Sequence, residues 1–90
     1  MLFTVEKYDG VTKVKGEIGV YGYTDKPKII VFDVYPPKDS LVSGFDAGGV
    51  NICAPGTLNA SEAQNFIAVI YKALEVHSEL SKEYFEKKKN

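Results

Sequence analysis

The sequence predicts an α+β fold: an antiparallel, curved β-sheet of about four to five strands followed by one long C-terminal α-helix. Three observations carry this. The first 58 residues break into short alternating or apolar runs separated by Asp9-Gly10, Asp25-Lys26-Pro27 and Pro36-Pro37, the punctuation of strands and turns. From Asn59 to Lys89 there is neither Gly nor Pro, and apolar residues recur at helical spacing. Strands come first and the helix last, which suits a two-layer arrangement. Ninety residues make one domain, 1–90, with a sheet part at 1–58 and a helix at 59–89.

Leu2 to Tyr8 reads as the first strand, closed by Asp9-Gly10, a dipeptide that tolerates the positive φ of a tight hairpin. Val11 to Tyr23 alternates. Val14, Ile18 and Val20 are expected to face a core, while Lys13, Lys15, Glu17, Tyr21 and Tyr23 face the other way. Gly16, Gly19 and Gly22 bend this strand, bulge it or split it. Lys28 to Tyr35 is nearly all apolar, as expected of an inner strand buried on both faces. Pro36-Pro37 ends it, a Ser-, Asp- and Gly-rich loop spans Lys38 to Gly49, and Val50 to Cys53 forms a short last strand.

The helix opens with a capping box, since Asn59 can accept from an early backbone N–H while Glu62 reaches back. Its apolar stripe is expected along Ala63, Phe66, Ile67, Ile70, Ala73, Leu74, His77, Leu80 and Tyr84, with Val69, Val76 and Phe85 off it. At 1.5 Å per residue it would run roughly 40 Å, against about 20 Å for a strand of six or seven residues. It overhangs the sheet, and a second copy of the chain is the simplest cover for the spare apolar surface. A homodimer is expected, with Phe66, Val69, Ile70, Ala73, Val76, His77 and Leu80 at its interface.

Charge and composition exclude more than they assign. Apolar residues make up 44% and charged residues 26%, with no apolar run near membrane length. No basic-then-apolar leader is visible at the start, and a lone Cys53 has no internal disulfide partner, so a cytoplasmic location is expected. Net charge is −1 and all eleven cations are lysine, which argues against forked arginine reading of base edges.

No catalytic constellation is visible. His77 has no HxxxH or CxxC companion and reads as a packed or interface histidine; Cys53 reads as a buried small hydrophobe. Gly44-Phe45-Asp46-Ala47-Gly48-Gly49 lacks the Gly-Lys-Ser/Thr ending of a phosphate loop and reads as a connection. Neither a cofactor, a metal nor an enzymatic activity is expected. The remaining signal is a grouping of Lys13, Lys15, Tyr21, Tyr23, Lys26 and Lys28. On one sheet face it would let bases stack and phosphates be neutralised; alternatively these are ordinary cross-strand pairs on a solvated face.

One known arrangement is similar. Gly19-Val20-Tyr21-Gly22-Tyr23, a lysine-bearing turn, Lys28-Ile29-Ile30-Val31-Phe32-Asp33-Val34-Tyr35, Gly49-Val50-Asn51-Ile52 and the Asn-capped helix resemble the positive cofactor four family of single-stranded-DNA-binding coactivators, with the related whirly-type proteins. The resemblance implies a curved sheet that binds a single strand and long helices that build a dimer. It implies strand contacts at Tyr23, Lys26 and Lys28, with Tyr35 near a further aromatic contact. The function expected on these grounds is sequence-nonspecific binding of single-stranded nucleic acid, in transcription or replication. The rival is a small protein-interaction module, such as a phage or mobile-element inhibitor of a host protein. A small-molecule pocket at a dimer seam is a third possibility.

Overall fold

The computed structural model describes residues 3–52 and 56–88. Strands β1 (Phe3–Tyr8), β2 (Val11–Val20), β3 (Pro27–Tyr35) and β4 (Gly49–Asn51) precede helix α1 (Ala60–Lys88). The sheet is a meander in the order β1-β2-β3-β4, every neighbour antiparallel. The α+β expectation and its single long helix therefore hold. Cys53, expected in the last strand, lies outside the described residues.

The sheet buries one face. Thr12, Val14 and Ile18 from β2 and Ile30, Phe32 and Val34 from β3 point at α1, because residues two apart share a side. Residues between them look outward. Two expectations change here. The pairing shifts between Glu17 and Gly19, so Val20 is turned out of the core and is 52% exposed. And β3 is not covered on both sides: Ile29, Val31 and Tyr35 remain exposed on the open face, because α1 supplies a layer to one side only.

Helix α1 rests on the sheet through Glu62, Phe66, Val69, Ala73, Val76 and Leu80, spaced alternately four and three apart. Val69 and Val76, expected off the stripe, lie at its centre, and Ile67 and Leu74 turn outward. The glycine at 16 sets this phase. A Cβ on Gly16 would overlap the Val69 side chain, so the helix drops its branched valine into the gap. Phe66 meets Phe32 edge-on at 5.5 Å between ring centroids.

The capping box forms as expected. Asn59 Oδ1 accepts from the Glu62 N–H at 2.8 Å and Glu62 Oε1 accepts from the Asn59 N–H at 3.2 Å. At the other end the 36–48 loop folds onto the helix. It is closed by reciprocal backbone bonds between Lys38 and Asp46, and Phe45 stacks against Tyr84 and Phe85. Tyr84 donates to Asp39, Lys88 pairs with Asp39 at 2.7 Å, and His77 Nε2 donates to the Ala47 carbonyl at 3.0 Å. Part of the overhang expected to need a second copy is thus covered by the chain's own loop.

Candidate interaction surfaces

The lysine–tyrosine grouping does not come together as one surface. Lys13 and Lys15 stand on the open face of β2, as expected, but Lys13 Nζ lies 2.8 Å from Asp33 and Lys15 Nζ lies 3.0 Å from Glu6. Lys28 is on the other face. Its ammonium lies 2.7 Å from Glu62 on the helix and 5.5 Å from the centroid of the Tyr21 ring. Tyr21 and Tyr23 belong to the turn after β2, where Tyr21 N–H donates to the Lys26 carbonyl and Thr24 N–H to the Tyr21 carbonyl. Lys26 closes that turn, and the Tyr23 side chain is fully exposed. Tyr35 lies at the other end of β3 from Lys28, on the open face, two residues along from Asp33 and so diagonal to Lys13.

The electrostatics follow from these pairs. Cross-strand register aligns Glu6, Lys13, Asp33 and Asn51 in one row of the open face and Thr4, Lys15 and Val31 in the next, with Glu17 opposite Ile29 beyond. Two lysines thus face three carboxylates. Bonds from Tyr8 and Lys15 hold the Glu6 carboxyl below its ordinary range, and the bond to Asp33 raises the Lys13 ammonium. Each group is held in its charged form by a partner already present. A phosphate approaching this face meets lysines whose charge is already matched.

The expected dimer residues are placed differently as well. Val69, Ala73 and Val76 are buried against the chain's own sheet, with Phe66, Ile70 and Leu80 packed beside them. His77 is bonded to the loop. Sequence periodicity alone could not separate the two sides of a helix that is apolar over more than half its circumference; the contact between Gly16 and Val69, which exists only in the folded chain, distinguishes them. On α1 the apolar residues left in solvent are Ile67, Tyr71 and Leu74, at 51%, 69% and 48% exposure, and half-exposed Phe85 continues their line where it packs against Phe45. They follow one another at four, three and eleven residues and form an outer stripe. His77 and Tyr84 show that the flank leading to this stripe faces the 36–48 loop, while Asn65, which donates to the Ile18 carbonyl at 3.0 Å, marks the polar flank over β2.

Two open clefts accompany these surfaces, one of about 610 Å³ between Tyr35, Lys38, Asp46 and β4, the other of about 400 Å³ between Tyr21, Lys28 and Leu58. Among the described residues no three His, Cys, Asp or Glu side chains cluster as metal ligands, and no helix is long and apolar enough to cross a membrane. No protein-family model, curated protein or solved structure matches the chain.

Proposed function

We propose that the chain is a non-catalytic protein-interaction module whose partner docks on the outer stripe of α1. One contrast supports this reading. Of the four lysines proposed to draw nucleic acid, Lys13, Lys15 and Lys28 are matched by Asp33, Glu6 and Glu62, whereas Ile67, Tyr71 and Leu74 stand in water with no polar work to do. An exposed aliphatic–aromatic row on a helix that is itself anchored to a sheet is a pre-organised apolar anchor for another protein. Single-stranded nucleic acid is the weaker reading, because stacking on Tyr23 would have to act with little phosphate attraction.

The test is a photo-crosslinking residue at Ile67 or Leu74 in cells, with Glu79 on the polar flank as control, run beside fluorescence anisotropy of the purified protein with a random single-stranded DNA at low salt. The expected result is a discrete protein adduct from the stripe, none from Glu79, and no DNA binding. Salt-sensitive DNA binding that is lost on Tyr21→Ala and Tyr23→Ala would replace this reading with the nucleic-acid one.

A further inference from the structure

Strand β1 is the exposed rim of the sheet. Among the described residues it pairs only with β2, through six consecutive positions from Phe3↔Gly16 to Tyr8↔Val11. Its other edge carries backbone N–H and C=O groups with no ladder partner. Natural sheets commonly blunt such an edge with proline, a bulge or a covering element. None of these occurs here: Phe3 to Tyr8 contains no proline, its register with β2 is unbroken, and α1 packs over β2, β3 and β4. In consequence Phe3 and Val5, which share the helix side of the sheet with Val14, stay 37% and 41% exposed.

We propose that β1 pairs with β1 of a second copy, antiparallel and about a two-fold axis at Val5, to join two sheets into one of eight strands. The sequence of the strand selects both occupant and register. A two-fold axis between antiparallel strands places a residue opposite itself, so the candidate centres are single positions. A centre at Glu6 sets two carboxylates against each other. A centre at Thr4 pairs only residues 3 to 5 of the described strand. The centre at Val5 pairs residues 3 to 7: Val5 meets Val5, Thr4 meets Glu6, and Phe3 meets Lys7.

In that register no like charges are opposed, and the Lys7 stem can lie along the partner's Phe3 ring. Phe3 and Val5 of both copies close into one apolar patch on the helix side. The patch is bordered by the polar flank of α1, where Lys72 and Glu75 are already paired at 3.2 Å. Lys7 is the one feature that would guard the edge against other strands, and here it is accommodated. The axis is perpendicular to the sheet, so both helices lie on the same side and the two outer stripes are presented together. The pairing stands whether or not those stripes dock a protein.

The purified full chain is measured by light scattering over a range of concentrations, together with Val5→Lys, which gathers four ammonium groups around the axis. The expected masses are twice the 9.9 kDa chain for the native protein and one chain for Val5→Lys, with unchanged circular dichroism. In a Cys53→Ser background, Val5→Cys should form a disulfide-linked dimer under mild oxidation. Thr4→Cys, whose copies are out of step across the axis, should not. The cysteine variant adds no charge and keeps the pairing readable if Val5→Lys fails to fold. A native protein that stays at single-chain mass, or a dimer that persists in Val5→Lys and is not trapped by Val5→Cys, overturns the proposal.

Discussion

Glu62 is bound twice: its Oε2 lies 2.7 Å from Lys28 Nζ on β3, and its Oε1 accepts from the Asn59 N–H that opens α1. One carboxylate therefore ties the start of the helix to the sheet. The bond to Lys28, and then that from Asn59, hold its carboxyl below the ordinary value of 4.5. A carboxyl depressed in the folded state contributes stability that is complete above its unfolded value and lost as pH falls through the folded one. Melting temperature should thus be flat above about pH 5 and fall in acid. Glu62→Gln should lower the plateau and flatten part of the acid slope, read by thermal circular dichroism at a series of pH values. An unaltered slope would remove the assignment. Asn59→Ala, which takes away the cap acceptor, should cost about 1 kcal/mol.

Gly16 and Val69 make the second prediction. A methyl at residue 16 would occupy the space the valine fills, and the backbone there belongs to a central strand that cannot easily give way. Gly16→Ala should destabilise by about 1–3 kcal/mol, the usual cost of overpacking. Combined with Val69→Ala, the loss should be clearly less than the sum of the two single losses, because the shortened side chain vacates the contested volume. Chemical denaturation of the four proteins measures the coupling. Strict additivity would mean that the helix does not sit on residue 16.

These two relationships also show how much of the molecule was legible in the sequence. The capping box lies within four consecutive residues and could be read directly. So could the β3 strand and the Pro36 stop. The phase of α1 could not, since Val69 and Ile67 are equally apolar and only a contact from a residue more than 50 positions earlier distinguishes them. The division of the lysine grouping was hidden for a similar reason. Alternation placed Lys13 and Lys15 on one face, but the shift between Glu17 and Gly19 moved the tyrosines into a turn, and β3 register put Lys28 on the other side. Ion pairing across strands depends on register, which local pattern does not contain.

Because the open face binds its own lysines, its carboxylates should control any attraction for nucleic acid. Glu6→Gln with Asp33→Asn frees Lys15 and Lys13 and changes the face from a net negative to a net positive row. The double variant should show a salt-sensitive affinity for single-stranded DNA well above that of the native protein, seen as anisotropy that rises at low salt and vanishes at moderate salt. Lys13→Ala in the native background should leave anisotropy unchanged. A native protein that already binds, and loses binding on Lys13→Ala, would show that Asp33 does not neutralise this lysine.

The 36–48 loop makes the last prediction, because it holds the end of α1 through side chains rather than through the sheet. Phe45 packs on Tyr84 and Phe85, and Asp39 receives both the Tyr84 hydroxyl and Lys88. These contacts are exposed and act on the last turns of a helix whose core residues end at Val76, with Leu80 at the margin. Loss of the clasp should therefore free the helix end without melting the domain. In Phe45→Ala with Asp39→Asn, amide exchange should accelerate over residues 80–88 while β2, β3 and residues 66–76 keep their protection. If exchange rose equally in the sheet, the loop would be part of the cooperative core. Unchanged exchange at 80–88 would mean that helix propensity, with Lys87 and Lys88 at the negative end of its dipole, suffices to hold the last turns.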